Sequence, residues 1–217
     1  MLNMVFDVEK EHKLSVLCLG AHCDDIEIGA GGIIIKLIEN FPNINFSWIV
    51  FSSDTTRADE AHKSANVLLR QVKEKQIIIQ GFKESYLPYW GAEIKENFEQ
   101  IKEEVFPDLI LTHYRNDLHQ DHRLISGLTW NTFRNHLILE YEIPKYDGDF
   151  GSPNFFVNLD EATCQKKIRH ILAHFKSQNT RQWFDKETFK SVLKLRGVES
   201  NSPGKYAEAF YCRKITF

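Results

Sequence analysis

The chain has 217 residues, of which 42% are hydrophobic and 26% are charged, a balance that is typical of a globular protein and excludes disorder, coiled coil and collagen. Its formal net charge of −3 lacks the basic excess of a dedicated nucleic-acid binder. The longest uncharged apolar stretch, residues 28–35, is far too short to span a bilayer.

The N-terminal segment and the cysteines predict the compartment. Residues 1–13 hold several charged side chains and no apolar run of the kind found in a secretion signal. The cysteines form no Cys-x-x-Cys pair; they are Cys18, Cys23, Cys164 and Cys212. This usage is typical of a reducing compartment without a disulfide framework, so the sequence predicts a cytoplasmic protein.

Apolar runs alternate with amphipathic patterns along the first two thirds of the chain. Buried strands are predicted at residues 14–20, 45–51, 76–80 and 108–112. Helices are predicted between them, at residues 29–39, 57–72 and 94–105. Near-continuous apolar strands separated by helices indicate a mostly parallel sheet with helices on both faces, which is a Rossmann-like, doubly wound α/β fold.

The last third of the chain has weaker patterns. The sequence predicts a helix, a loop, a strand, a second helix and a closing strand, in that order, at residues 121–139, 141–153, 154–158, 161–175 and 207–215. Neither an internal repeat nor a linker interrupts the chain. The sequence therefore predicts a single domain over residues 1–217.

Two clusters of polar residues follow the first and fourth predicted strands. The first cluster is Ala-His-Cys-Asp-Asp-Ile-Glu at residues 21–27, and the second, residues 113–122, holds three of the nine histidines beside two aspartates. Open α/β folds form their sites at the carboxyl ends of parallel strands, so the two clusters can meet in one crevice. The glycines at 29, 31 and 32 lack the spacing of a dinucleotide cradle and indicate close packing of a helix on the sheet.

The residue types in these clusters are those of a metal site. Catalytic zinc takes three protein ligands of the imidazole or carboxylate type, and two histidines with one carboxylate also suit Fe²⁺. The candidate ligands are His22, Asp24 or Asp25, and His119 or His122. One carboxylate and one histidine would then remain for proton transfer, a combination that fits metal-assisted hydrolysis.

Residues 22–27 resemble the His-Pro-Asp-Asp-x-Glu signature of the PIG-L/LmbE family of zinc-dependent N-deacetylases, and residues 119–122 resemble its His-x-Asp-His signature. Weaker similarities at residues 56–60 and 207–210 extend the resemblance over roughly residues 14–213. It implies a metal-dependent hydrolase that removes an N-acyl group, usually acetyl, from a small-molecule amino sugar or its conjugate. It also implies a homo-oligomer, a trimer or a hexamer.

The resemblance assigns a role to each matching residue. It implies three ligands for zinc, or for another divalent ion such as Fe²⁺: His22, Asp25 and His122. Asp24 would be the general base that deprotonates the attacking water. His119 would stabilise the oxyanion or act as general acid, with Asp121 orienting it, and Arg57 would meet a substrate hydroxyl or phosphate.

Cys23 departs from the signature, because the family usually has proline at this position. One interpretation is that the backbone tolerates the change. The other is a thiolate near the metal, which could compete as a soft ligand or become oxidised.

Two other functions remain open from the sequence. The same two-histidine, one-carboxylate set occurs in non-hydrolytic ferrous enzymes, although those favour β-barrel folds. A non-catalytic binding protein could also retain the fold, but such a protein should have lost the base or a ligand.

Overall fold

A computed structural model describes residues 13–216, so the search for a secretion signal in residues 1–13 falls almost wholly outside the described residues. The strands are β1 (Ser15–Gly20), β2 (Asn45–Ser52), β3 (Glu74–Phe82), β4 (Leu109–His113), β5 (Leu137–Tyr141), β6 (Phe155–Leu159) and β7 (Tyr206–Cys212). The helices are α1 (Asp25–Asn40), α2 (Thr55–Leu68), α3 (Gly91–Glu104), α4 (Gln120–Thr132), α5 (Glu161–His174) and α6 (Lys186–Glu199), with short 3₁₀ turns at Leu87–Trp90 and Lys176–Gln178.

The strands form one sheet in the order β3-β2-β1-β4-β5-β7-β6. The first five strands in this order pair in parallel, whereas β7 runs antiparallel to both β5 and β6. The chain proceeds outward from β1 to β3 on one side and then returns to place β4 against the other side of β1. The predicted doubly wound, mostly parallel α/β fold is confirmed, and β1 and β4 flank its topological switch point.

Alternate residues of the central strands face two separate cores. Val16 and Cys18 of β1 pack into the larger core, which α1, α2, α5 and α6 cover. Leu17 and Leu19 pack into the smaller core on the opposite face, beneath α3 and α4. All four side chains are fully buried. Because both faces are covered, the strand is apolar throughout, which is the pattern that predicted it.

The predicted helix over residues 121–139 is wrong in its second half. Helix α4 ends at Thr132, and residues 137–141 form β5, paired in parallel register with β4. A short apolar run fits a helix or a strand equally well, and here the free edge of β4 decides between them. Helix α6, residues 186–199, had no predicted counterpart.

Close contacts fix α1 against the sheet. A Cβ atom on Gly29 would lie 2.2 Å from the Tyr141 ring, and one on Gly32 would lie 2.7 Å from Leu159. These two glycines therefore allow the close helix–sheet packing that the sequence indicated. None of the helices described in residues 13–216 is long and apolar enough to cross a membrane.

A buried polar network, the Glu208 network, ties α1 to β7 and α5. The Glu208 carboxylate accepts hydrogen bonds from the backbone N–H of Gly32 at 2.5 Å and of Ile33 at 2.7 Å. Lys167 Nζ donates to Glu208 at 2.6 Å and to the Ile28 carbonyl at 2.6 Å. The network holds the helix that begins directly at the first polar cluster.

Candidate metal and active site

The loops after β1 and β4 carry the predicted site residues, and they are neighbours because these two strands pair. His22 and Asp24 lie in the first loop, and Asp25 is the first residue of α1. In the second loop, His119 stands directly before α4 and accepts the Asp121 backbone N–H at its Nδ1, at 3.2 Å. Helix α4 then presents His122 one turn later.

Asp121 contacts a predicted metal ligand. Its carboxylate lies 3.1 Å from His22 Nε2 and accepts the backbone N–H groups of Ser85 at 2.6 Å and Leu87 at 3.2 Å. The family resemblance implied that Asp121 orients His119, whereas the Asp121 side chain forms its hydrogen bond with His22. Asp121 therefore orients His22 and fastens the β3–α3 connection to it.

Asp117 makes the equivalent contact with the second predicted histidine ligand. One carboxylate oxygen lies 2.9 Å from His122 Nδ1, and the other accepts the His119 backbone N–H at 2.7 Å. The sequence analysis gave Asp117 no role, although it stands in the second polar cluster. Metal-binding histidines commonly donate their outer N–H to a carboxylate, and a search for such a partner would have found it.

Three ligand atoms converge between these two pairs. His22 Nδ1 lies 3.1 Å from His122 Nε2; Asp25 Oδ2 lies 3.3 Å from His22 Nδ1, and the other Asp25 oxygen, Oδ1, lies 3.6 Å from His122 Nε2. The outer ring nitrogens of both histidines face carboxylates, so in the neutral, metal-binding form the ring proton lies there and the inner nitrogen carries the lone pair. Three electron-pair donors thus face one another, at about the 3.3 Å separation that a tetrahedral zinc site requires.

Two other triplets of possible ligands share His122. One consists of His22, His119 and His122, and the other of Asp25, His113 and His122, with the ligand atoms of each within 4.8 Å of one another. His113 is fully buried behind Asp25 at 3.2 Å, and its Nε2 accepts the Ala21 backbone N–H at 2.9 Å. The sequence analysis had placed His113 in the second cluster without a role. His113 Nε2 faces the same Asp25 oxygen, Oδ2, that His22 Nδ1 faces at 3.3 Å.

The charges around the cluster favour a cation. Burial opposes protonation of His22, but Asp25 and Asp121 together raise its pKa to about 10. Burial, followed by the nearby His113, lowers the pKa of His122 to about 3, so this imidazole is neutral, which is its metal-binding form. Burial also acts against the charge of Asp25, yet the surrounding histidines hold the pKa of this carboxyl well below its usual range.

Asp24 points away from the three ligands and pairs with Arg57. The Arg57 guanidinium donates to Asp24 Oδ1 at 2.8 Å and also contacts Glu84. The Asp54 carboxylate accepts the Arg57 backbone N–H at 2.8 Å and so fixes the start of α2. Burial raises the pKa of Asp24 despite the Arg57 charge. Arg57 thus lies at the site with its guanidinium already engaged by two carboxylates.

A cleft of about 130 Å³ opens above these residues. It is lined by side chains from both polar loops and by residues from more distant parts of the chain, among them Glu84, Lys145, Tyr146, Arg181 and Trp183. All of the residues proposed as ligands, together with Asp24, Arg57 and His119, line it. Asp121 lies beneath them and is fully buried.

Cys23 does not join the ligand cluster. Its buried thiol donates to the Ser52 carbonyl at 3.4 Å. Burial raises the pKa of the Cys23 thiol well above its usual range, so the group is neutral. The contact with Ser52 and the raised pKa favour the interpretation in which the backbone tolerates the change over that of a thiolate competing for the metal.

Known proteins resemble this chain in part of its sequence and in its fold. Residues 17–133 match the profile of PIG-L, described as GlcNAc-PI de-N-acetylase. An N,N'-diacetylchitobiose deacetylase from Pyrococcus horikoshii superposes with a TM-score of 0.70 at 21% identity, covering 96% of this chain and 87% of that chain. A teicoplanin deacetylase in its zinc-inhibited form gives 0.70 at 13% identity, with coverage of 91% and 97%.

A third similar structure is that of an enzyme named for a different reaction. GalB, the 4-carboxy-2-hydroxymuconate hydratase of Pseudomonas putida, also gives a TM-score of 0.70, at 15% identity and with coverage of 94% and 98% of the two chains. At these identities the likeness establishes the fold. The activity has to be argued from the site.

Proposed function

Since this chain belongs to the PIG-L family, whose profile it matches over more than half of its length, we propose that it is a metal-dependent hydrolase that removes an N-acyl group, foremost acetyl, from an amino sugar or its conjugate. The observation that carries the proposal is the convergence of two carboxylate-backed imidazoles and Asp25 on one point beside a cleft. Asp25 and Asp121 raise the pKa of His22 to about 10, so this position attracts positive charge; a divalent cation would replace the His22 proton and bind both imidazoles and the carboxylate together.

His22, Asp25 and His122 would hold the metal. Their nitrogen and oxygen donors suit zinc, and also Fe²⁺. A zinc ion supplies Lewis-acid polarisation of an amide carbonyl and acidifies water. The two backing carboxylates keep each imidazole in the tautomer that presents a lone pair to the ion.

Asp24 would act as the general base. It lies next to the ligand Asp25 in the chain, but its carboxylate faces the cleft and not the ligand cluster. Its raised pKa brings the group closer to the working pH, which favours proton transfer from water. Arg57 holds one of its oxygens at 2.8 Å and leaves the other to receive the proton.

His119 would serve the developing oxyanion or the leaving amine. Because its Nδ1 accepts the Asp121 backbone N–H, the ring proton of the neutral form is at Nε2. Burial and the nearby His22 charge lower the pKa of His119, so the neutral form predominates at neutral pH. An N–H fixed by a helix terminus is a preorganised donor for negative charge on the substrate oxygen.

A non-catalytic member of the fold would be expected to lack at least one of these groups. Here all of these groups are present: the base and the ligands are buried, and the donor His119 is half-buried beside them. The hydrolase is therefore the better supported of the two alternatives.

The decisive experiment compares two adjacent aspartates that have different proposed roles. Asp25→Asn should lose both metal content and turnover, because it removes a ligand. Asp24→Asn should keep its metal while its turnover falls by roughly 10²–10⁴, the usual contribution of a positioned general base. Elemental analysis gives the metal content, and acetate release from N-acetylglucosamine and N,N'-diacetylchitobiose gives the turnover.

Thermal unfolding with added zinc provides an independent measurement. A ligand present at 100 times its dissociation constant stabilises the folded state by about 2.7 kcal/mol, and this gain should appear in Asp24→Asn and be absent in Asp25→Asn. If Asp24→Asn emptied the site while Asp25→Asn retained metal, the two roles would be exchanged. If wild-type protein bound no divalent metal and released no acetate, the proposed function would be wrong.

A further inference from the structure

The connection between β5 and β6 holds a buried lysine that lines the cleft beside the proposed metal centre. Lys145 Nζ lies 3.0 Å from the Asp117 carboxylate, and it lies 2.7 and 2.6 Å from the two oxygens of Asp149. The three side chains are only 9%, 2% and 7% exposed. A lysine ammonium buried to this degree is almost always paired, and here it is shared between two carboxylates.

The Lys145 contact falls on an oxygen that already has another partner. The same Asp117 oxygen, Oδ2, faces His122 Nδ1 at 2.9 Å. The second oxygen, Oδ1, is taken by the His119 backbone N–H at 2.7 Å. Lys145 and the His119 backbone N–H therefore fix the rotation of the Asp117 carboxylate from opposite oxygens. This rotation sets the geometry of the hydrogen bond between Asp117 and His122 Nδ1.

The partner of Lys145 reaches the same loop by a second route. Asp149 accepts the Leu118 backbone N–H at 2.7 Å. The loop after β4 is thus fastened to the β5–β6 connection at two consecutive residues, 117 and 118. The Lys145 ammonium joins the carboxylates of Asp117 and Asp149 and so connects these two contacts.

The far side of the β5–β6 connection is held by a different ion pair. Arg196 of α6 donates to both oxygens of Glu142, at 2.9 and 2.7 Å, and to the Gly151 carbonyl at 3.3 Å. Tyr211 donates to Glu142 at 2.8 Å and accepts the Gly151 backbone N–H at 3.0 Å. This pair anchors the same segment without contacting Asp117.

We propose that Lys145 is a positioning residue of the metal centre: by holding the Asp117 carboxylate on His122 it sets the affinity of the site for its metal. The proposal rests on the proposed function, since it assumes that His122 is a ligand. Lys145 acts through Asp117 and does not itself touch the ion. It extends the metal centre to the β5–β6 connection, which carries Tyr146 and other lining residues of the cleft.

The test measures metal affinity by competition with a coloured chelator, without reference to activity. Lys145→Met retains the length and apolar stem of the side chain and removes the ammonium. Loss of an outer contact to a metal-binding histidine typically weakens affinity by about 10–100-fold, and we expect a loss in this range. Lys145→Arg, which can still reach both carboxylates, should recover part of it.

Arg196→Met is the matched control. It removes a buried cation of α6 that anchors the same β5–β6 connection through a buried carboxylate, so it should lower the unfolding temperature while leaving the affinity for zinc unchanged. A loss of zinc affinity in Arg196→Met equal to that in Lys145→Met would overturn the proposal, because the segment as a whole would then be responsible.

A double variant shows whether Lys145 acts through Asp117. In protein that carries Asp117→Asn, the further change Lys145→Met should cost no additional zinc affinity, since the contact that it supports is already lost. The visible absorption of the Co²⁺-loaded protein should change alike in both single variants. Additive losses of zinc affinity in the double variant, or wild-type zinc affinity in Lys145→Met, would contradict the positioning role of Lys145 and leave the proposed function unaffected. Wild-type protein that bound neither ion would sink both.

Discussion

The Glu208 network and the ligand cluster around His122 both bury charged side chains, but they differ in how many of their acceptor atoms have a hydrogen-bond donor. In the Glu208 network, each carboxylate oxygen has a donor, from two backbone N–H groups and the Lys167 ammonium. In the ligand cluster, one Asp25 oxygen accepts the His22 backbone N–H at 2.7 Å, while the inner nitrogens of His22 and His122 lie 3.1 Å from each other and 3.3 and 3.6 Å from the Asp25 carboxylate.

This difference distinguishes a structural polar network from a ligand-binding site. A buried network with paired donors and acceptors is complete within the protein and fastens elements to one another. A buried cluster of acceptors is costly unless something positive enters it. The balance of donors and acceptors therefore identifies the site more directly than burial or charge alone.

The largest expected effect is on stability and comes from breaking the Glu208 network. Lys167→Met leaves the Glu208 carboxylate buried without its cation, which should cost about 3–5 kcal/mol in the free energy of unfolding. Urea denaturation measures this loss, and the affinity for zinc should remain that of the wild type.

The neighbouring lysine is the control for this prediction. Lys166 is half exposed and pairs with the exposed Glu39 at 3.3 Å, so Lys166→Met should cost about 0–1 kcal/mol. Equal losses in the free energy of unfolding for Lys167→Met and Lys166→Met would contradict the larger contribution assigned to the buried Lys167–Glu208 pair. Loss of zinc from folded Lys167→Met would show that the two regions are not independent.

A substitution at His119 should have the opposite effect to Lys167→Met: it should lower turnover without lowering the free energy of unfolding. His119 both caps α4 and presents its Nε2–H to the cleft. His119→Asn supplies another good capping residue and removes the proposed donor, so turnover should fall by about 10²–10³-fold while metal content is retained.

His119→Ala separates the two roles of this residue. It removes the cap as well as the donor, so it should show the same loss of turnover and, in addition, lose about 1 kcal/mol of stability. Acetate release and urea denaturation of both variants give the two quantities. Full turnover in His119→Asn would remove His119 from the mechanism.

The smallest expected effect is at Cys23. Its thiol makes a long sulfur hydrogen bond to Ser52 and does not contact the ligands, so Cys23→Pro should keep both metal and turnover. Cys23→Ala removes the thiol without changing the backbone and serves as the reference. If the proline variant folded but lost its metal, the conformation of this loop would matter more than the contacts suggest.

The sequence determined the layered α/β fold and the two polar clusters. Apolar strands such as residues 14–20 need no tertiary information, because a strand buried on both faces is apolar throughout. The sequence failed at residues 133–139, where the edge of β4 turns a short apolar run into the beginning of β5. Helix α6 was not predicted either, although its capping Asp185 and its buried Phe189 and Leu193, four residues apart, are typical helix signals.

Within the site, the sequence alone selected the residues that meet at the cleft, from two motifs that are far apart in the chain. Only the tertiary structure decided which groups pair: Asp121 with His22, Asp117 with His122, and Arg57 with Asp24. Residue type and spacing specify what chemistry a side chain can perform. The direction in which it points depends on strand order and on the packing of α1 and α4, which bring loops distant in sequence to within hydrogen-bond distance.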